Sequence, residues 1–211
     1  MIDQGLERLL ATGVIAVVRA REAKGIATIA RALQAGGVHA VEITLTTSGA
    51  VGAIAELARD EAMLIGAGTV LDAAAAGSVL DAGARFVVSP TLEPDVIRAC
   101  RDRNVPCIPG AFTPTEVLAA WRAGASLVKL FPAVTVGPGF VRELLGPLPS
   151  LRIVPSGGVT LESVGDWIRA GAAAVSVGGA LLGAPLADLT TRARAFVTAV
   201  ATARQSSERV R

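Results

Sequence analysis

The stretch AGASLVKLFP, residues 123–132, combines the end of a helix, a short buried strand and a strand terminator. Ala-Gly is suited to ending a helix, because glycine adopts the left-handed conformation that often follows the last turn. Residues 127–130 form an apolar strand pattern, and Pro132 ends it because proline has no N–H donor. Lys129 interrupts this pattern, although lysine is almost never buried without a partner. The stretch therefore predicts an interior strand that carries an amine.

The same Ala-Gly and strand pattern recurs, with its glycine at Gly36, Gly83, Gly124 and Gly171. The intervals are 47, 41 and 47 residues (83−36, 124−83, 171−124), and each equals about two strand–helix units. Apolar runs predict eight strands, at 14–18, 38–44, 63–66, 86–88, 106–108, 127–130, 152–154 and 174–177. Helical periodicity lies between them, as in 23–34, 51–59, 95–103 and 115–122.

The alternation of strands and helices with short connections favours an α/β fold with a parallel sheet. A doubly wound open sheet is the alternative, but it usually shows a topological switch and fewer equal units. We therefore predict a single (β/α)8 TIM barrel over residues 1–211, at the short end of that fold's range of about 200 residues or more. A short amphipathic helix is expected at residues 3–10, and a frayed tail at 205–211.

Composition excludes several classes of partner. The 20 basic and 18 acidic side chains are scattered, so no basic stripe indicates a nucleic-acid partner. No signal pattern opens the sequence, and no apolar run approaches the roughly 20 residues that span a bilayer. Cys100 and Cys107 form no disulfide framework, which predicts a cytoplasmic protein. One histidine and no cysteine cluster argue against a metal site.

Two charged residues interrupt the predicted strands. Side chains alternate along a strand, so Lys129 shares a face with Leu127, and Glu42 shares a face with Ala40 and Thr44. The functional site of a (β/α)8 barrel lies at the C-terminal ends of its strands. If both faces point into the barrel, the amine and the carboxylate meet near one ligand.

This pair predicts chemistry at a carbonyl group. Burial disfavours the charged ammonium, and the neutral amine of Lys129 is a nucleophile that can form a Schiff base. The iminium withdraws electrons, so an adjacent C–C bond can break while Glu42 shuttles the proton. A buried ion pair that only fixes the core is the alternative. Such pairs rarely add net stability, because desolvation offsets much of the attraction, and we therefore favour catalysis.

Glycine pairs follow the last two predicted strands, in PSGGV and VGGALL. The loops after strands seven and eight form the common phosphate site of this fold. Glycine lets backbone N–H groups approach an anion, and a following helix N-terminus favours negative charge. The predicted phosphate-binding residues are Ser156, Gly157, Gly158, Gly178 and Gly179.

Seven motifs extend over nearly the whole chain: GGVHAVEITLT, IGAGTVLD, AGARFVVSP, the IPG before FTPTE, LVKLFPA, VPSGGVT and VGGAL. In this order they resemble the family of 2-keto-3-deoxy-6-phosphogluconate aldolase, a group shared with 4-hydroxy-2-oxoglutarate aldolase. The resemblance implies a class I aldolase, without metal or other cofactor, that produces pyruvate and glyceraldehyde 3-phosphate from the phosphorylated keto acid. It also implies a homotrimer of (β/α)8 barrels.

The same resemblance implies individual roles. Lys129 corresponds to the Schiff-base lysine, and Glu42 to the general acid and base. Thr69 corresponds to the residue that holds the pyruvyl carboxylate, and Arg19 to a basic position on the first strand that can meet the same carboxylate or nearby anionic groups. Further residues are expected to line the pocket: Thr44, Thr46, Pro90 and Phe131.

Two positions depart from some members of that family. An arginine that helps to bind the acidic substrate is replaced by Thr46, and a serine that contacts the phosphate is replaced by Ala180. The galactonate epimer of the substrate, or a non-phosphorylated keto acid, is therefore an alternative. Two other functions stay open on the same fold. One is a phosphosugar isomerase or epimerase that uses Glu42 as base, and the other is a non-catalytic phosphate-binding protein.

Overall fold

The computed structural model describes residues 4–183 and 185–208 as an α/β barrel. Its strands are β1 (Val14–Val18), β2 (Ala40–Thr44), β3 (Leu64–Gly68), β4 (Val87–Val88), β5 (Cys107–Ile108), β6 (Gly110–Ala111), β7 (Val128–Leu130), β8 (Ile153–Pro155) and β9 (Val175–Val177). Its α-helices are α1 (Gln4–Thr12), α2 (Ile26–Ala35), α3 (Ala50–Leu57), α4 (Ala73–Asp81), α5 (Pro94–Asp102), α6 (Pro114–Arg122), α7 (Pro138–Leu145), α8 (Val164–Arg169), α9 (Gly179–Leu182) and α10 (Leu186–Glu208). A 3-10 turn, Ala133–Thr135, follows β7.

Every strand pairing is parallel, in the orders β5-β4-β3-β2-β1-β9 and β6-β7-β8. The two groups join because β5 and β6 form one barrel strand that is interrupted at Pro109: β5 pairs with β4, and β6 pairs with β7. A bridge between Ser156 and Ser176 joins the end of β8 to β9. Eight strand positions therefore close into a barrel, which confirms the predicted fold class.

The core has two layers because successive side chains of each strand point to opposite sides of the sheet. One cluster lies between the strands and the surrounding helices. The other lies inside the barrel and includes Ile15, Ala40, Leu127 and Ala174. Helix α1 closes the bottom of this interior with two leucines, Leu6 and Leu9.

The chain ends differ in part from their predictions. Helix α1 extends to Thr12, beyond the predicted end at residue 10, whereas residue 3 lies outside the described residues. Helix α10 continues to Glu208, so residues 205–208 of the expected frayed tail are helical, and 209–211 lie outside the described residues. Arg204 on this helix donates hydrogen bonds to the carbonyl oxygens of Leu10, Ala11 and Ala173. No described helix combines the length and the apolar composition needed to cross a membrane.

The repeated glycines end helices as predicted at three of four positions, where φ is 93°, 101° and 103° at Gly83, Gly124 and Gly171. The expectation for Gly36 is wrong in detail. Gly36 is the last residue of the α2 turn, with φ −88°, and Gly37 takes the left-handed conformation, with φ 91°. Gly36 is required for another reason, because a Cβ there would lie 2.5 Å from the Cβ of Ala193 on α10.

Candidate active site

Glu42 and Lys129 lie on the interior faces of β2 and β7, as the alternation predicts. Their neighbours on those faces, Ala40 and Leu127, belong to the cluster inside the barrel. Glu42 is 1% exposed and Lys129 is 7% exposed. Both line one small interior cavity, together with Ser176. The structure therefore brings the predicted amine and carboxylate into one compartment.

The two groups do not form an ion pair. No nitrogen–oxygen contact within 4.0 Å joins Lys129 to Glu42, and the ion pairs among the described residues involve exposed side chains. Oε2 of Glu42 is buried without a hydrogen-bond partner. The Lys129 Nζ lies 5.1 Å from the centroid of the Phe131 ring. The alternative interpretation, a structural ion pair, therefore lacks its contact.

The environment of Glu42 favours its protonated form. Burial raises the pKa of the Glu42 carboxyl above its ordinary value, because the charged form loses water. The positive charges of Lys129 and Arg19 act in the opposite direction with smaller effects on this pKa. A carboxyl group in this state can donate a proton as well as accept one.

Neighbouring glycines make room for the site. A Cβ on Gly68 would overlap Oε1 of Glu42, so the last residue of β3 must lack a side chain. Similarly, a Cβ on Gly66 would lie 2.5 Å from the Phe86 ring, which fills the barrel interior. The GAGT motif thus leaves space on one strand for groups that project from its neighbours.

A second cavity of about 840 Å³ lies at the mouth of the barrel. Lys129 borders it, and so do most of the residues predicted for the site: Arg19, Thr69, Pro90, Phe131, Ser156, Gly157, Gly158, Gly178 and Gly179. Glu42 borders only the interior cavity beneath. The predicted carboxylate-binding and phosphate-binding residues therefore share one space above the lysine.

Thr44 and Thr46 line neither of these two cavities, contrary to their predicted role. Thr44 is fully buried, and its hydroxyl lies 2.9 Å from that of the exposed Thr46. Thr47 accepts a hydrogen bond from the N–H of Ala20. These hydroxyls bind one another and the backbone, so they are engaged in shaping the loop after β2.

The glycine loop after β8 packs closely against the loop after β7. Gly157 and Gly158 have φ values of 86° and 80°, which L side chains rarely adopt. A Cβ on Gly157 would lie 3.3 Å from the Phe131 ring, and one on Gly158 would overlap Val134. By contrast, the position of a Cβ on Gly179 is open space. Glycine here permits both the turn and the close approach.

Thr69 has a strained backbone, with φ 60°. A β-branched residue in the left-handed region is unusual, and such conformations cost about 1–3 kcal/mol. The strain occurs at a residue that borders the mouth cavity. Glycine would adopt this backbone conformation without strain but has no hydroxyl. The presence of threonine therefore supports a role for its hydroxyl.

Ser176 and Thr160 also border the mouth cavity, although no pattern in the sequence predicted them. Ser176 was detectable in principle. It alternates with Ala174 along the last strand, and Ala174 belongs to the interior cluster. Thr160 lies after the glycine loop, where no periodic pattern gives its direction. Among the described residues, no group of three or more His, Cys, Asp and Glu side chains could hold a metal ion.

The fold and this site define a class, a (β/α)8 barrel with a buried lysine and a carboxyl group beneath a polar mouth. Residues 6–194 match the family model described as KDPG and KHG aldolase. The chain belongs to this family of aldolases.

The individual relatives that the chain resembles are named as aldolases. The chain is 40% identical over 131 residues to 2-dehydro-3-deoxy-phosphogluconate aldolase of Pseudomonas aeruginosa, covering 61% of this chain and 60% of that protein. It is 40% identical over 139 residues to a probable 2-dehydro-3-deoxy-6-phosphogalactonate aldolase of Rhizobium meliloti, covering 65% and 66%. These matches span less than two thirds of each relative. The crystal structure of KDPG aldolase from Legionella pneumophila, with pyruvate captured as a covalent carbinolamine, superposes with a TM-score of 0.78 at 29% identity, over 94% of this chain and 97% of that one.

Proposed function

We propose that the protein is a class I aldolase that cleaves 2-keto-3-deoxy-6-phosphogluconate reversibly to pyruvate and glyceraldehyde 3-phosphate. The observation that carries this proposal is the burial of Lys129 beside a cavity without an ion pair to Glu42. No carboxylate oxygen of the described residues lies within 4.0 Å of the Lys129 nitrogen, and the side chain borders the mouth cavity. Lys129 is thus suited to attack a carbonyl group that enters from the mouth cavity.

The reaction follows from these two groups. Lys129 Nζ attacks the keto carbon, and the carbinolamine loses water to give an iminium ion. The C3–C4 bond then breaks as the C4 hydroxyl loses its proton, which produces the aldehyde and an enamine. Protonation of the enamine and hydrolysis release pyruvate. The iminium is the electron sink, so the proposed mechanism uses neither a metal nor another cofactor. The covalent carbinolamine in the Legionella relative supports this route.

We assign the two charged ends of the substrate to two different groups of residues that line the mouth cavity. Thr69 and Arg19 bind the carboxylate next to the keto group. The glycine loops bind the phosphate through backbone N–H groups, with Ser156 as an additional donor. Their common lining of one cavity with Lys129 supports this assignment.

The stereochemistry of the substrate is a separate proposal. We favour the gluconate form, whereas the Rhizobium relative is named for the galactonate form. Ala180 borders the cavity and offers no hydroxyl to a phosphate, and a hydrogen bond to a charged group contributes about 1.5–3 kcal/mol. Phosphate binding is therefore expected to contribute less here than it would with a hydroxyl at position 180. We expect the enzyme to turn over 4-hydroxy-2-oxoglutarate, which has no phosphate, as a second substrate, but more slowly than the phosphorylated keto acid.

A coupled assay with lactate dehydrogenase tests the function, with the gluconate, galactonate and non-phosphorylated substrates compared. Lys129→Arg places a guanidinium, which is a poor nucleophile, at the same position, so we expect a loss of turnover on the order of 10³-fold or more. Lys24→Arg is the matched control, because Lys24 is exposed and is the other lysine of the chain. An isomerase or epimerase with Glu42 as base would retain turnover in Lys129→Arg and release no pyruvate.

We also propose a cytoplasmic homotrimer. The resemblance to this family implies the trimer, and the two unpaired, buried cysteines are typical of a reducing compartment. Recovery of the protein in an extracellular or periplasmic fraction would contradict the proposed location.

A further inference from the structure

Ser176 has an unusual environment for a buried hydroxyl. It is the middle residue of β9 and is 3% exposed, yet its Oγ has no hydrogen-bond partner. Ser89, another fully buried serine, donates a 2.6 Å hydrogen bond to the carbonyl oxygen of Val70. Burying an unpaired hydroxyl destabilises a protein, and most buried hydroxyls have a hydrogen-bond partner. Ser176 thus has hydrogen-bonding capacity that the folded chain does not use.

The location of Ser176 indicates where a partner would come from. Ser176 and Lys129 are the residues that border both the interior cavity and the mouth cavity. Glu42 borders only the interior cavity, and its Oε2 also has no partner. Lys129 and Ser176 are thus the residues that can reach both a substrate in the mouth cavity and the compartment that holds Glu42.

A hydroxyl in this position can connect the substrate with Glu42. Neither Ser176 Oγ nor Glu42 Oε2 has a partner in the free protein, so the bonds of such a connection form when the substrate is bound. It accepts one hydrogen bond and donates another at the same time. Burial raises the pKa of Glu42, which makes its protonated form available as a proton source. For catalysis, that proton must reach the oxygen on the keto carbon of the substrate.

We propose that Ser176 is a catalytic residue that relays a proton between Glu42 and the oxygen on the keto carbon of the substrate. This inference rests on the proposed aldolase function. As the carbinolamine dehydrates, the Ser176 hydroxyl donates its proton to the departing oxygen and takes the proton from the Glu42 carboxyl. The C–O bond breaks, the nitrogen lone pair forms the C=N bond, and water leaves. Glu42 becomes a carboxylate, and Ser176 is unchanged.

The test measures the rate of iminium formation with the full-length protein. Enzyme is mixed with pyruvate, quenched with borohydride after increasing times, and analysed by intact mass. Ser176→Ala is expected to slow the appearance of the reduced adduct by about 10²-fold, a typical contribution of positioned proton transfer. It is also expected to retain or gain resistance to urea, because an unpaired hydroxyl has been removed.

The control is Thr12→Val, which removes another buried, unpaired hydroxyl at the opposite end of the barrel, where α1 ends. Its adduct rate should equal that of the wild type. Adduct formation in Ser176→Ala at the wild-type rate would overturn the relay, and so would a slow rate accompanied by lost stability. Absence of any adduct in the wild type would instead contradict the proposed function itself.

Discussion

The charge state of Glu42 depends on two opposing effects, burial and nearby positive charge. Burial disfavours its carboxylate, whereas Lys129 and Arg19 favour it, and the net effect is a raised pKa. A raised pKa means that the folded protein holds this proton at pH values where the unfolded chain has already lost it. Stability should therefore fall as pH rises from the ordinary value of 4.5 through the folded-state pKa.

Glu42→Gln tests this dependence, because glutamine has a similar shape without the titration. The free energy of unfolding of the variant should exceed that of the wild type by an amount that grows with pH and then levels off above the folded-state pKa. Urea titrations over a pH series measure the difference, with exposed Glu143→Gln as control. Parallel stability curves for Glu42→Gln and the wild type would show that burial does not perturb this carboxyl.

The site residues that the sequence predicted are those whose charge differs from the apolar character of their neighbours in the chain. Lys129 and Glu42 stand out because each interrupts an apolar strand, and the alternation rule gives their direction. Ser176 lacks such a contrast, because serine is common in strands and its missing partner is visible only in three dimensions. The contacts of Thr46 likewise depend on the fold of one loop.

At the level of elements, local signals predicted the strands and helices well and their boundaries less well. The predicted strand 38–44 begins at Ala40, and the predicted helix 23–34 begins at Ile26, after Gly25 in the left-handed conformation. The interruption of one barrel strand into β5 and β6 was not predicted. The interruption lies at Pro109, which has no N–H to donate to a neighbouring strand. The glycine after it has a non-local reason, since a Cβ on Gly110 would overlap the carbonyl oxygen of Pro90.

Gly36, at the end of helix α2, also shows that a sequence pattern does not predict contacts between distant elements. The repeated Ala-Gly pattern indicates where α2 ends, and it does so within one residue. The reason for glycine, however, is contact with α10, which follows about 150 residues later in the chain. Sequence patterns report local conformation, whereas close approach between distant elements appears only after folding.

For the whole molecule, the repeat of strand–helix units was sufficient to predict closure of the barrel, but not its assembly. Exposed apolar side chains lie near the mouth, including Val134, which is 66% exposed, and Phe131, which is 37% exposed. Such groups often mark surfaces that another subunit covers. We expect light scattering to give three times the chain mass of 21.3 kDa. A mass of one chain over a wide concentration range would contradict the trimer.

The central claim is that Lys129 is the amine that reacts with the substrate. The most direct measurement is borohydride reduction in the presence of pyruvate, followed by peptide mapping. Because the chain has two lysines, Lys24 and Lys129, the map is unambiguous. We predict one pyruvyl adduct per chain on Lys129, unchanged in Lys24→Arg and absent in Lys129→Arg. An adduct on Lys24, or no adduct on the wild-type protein, would contradict the account.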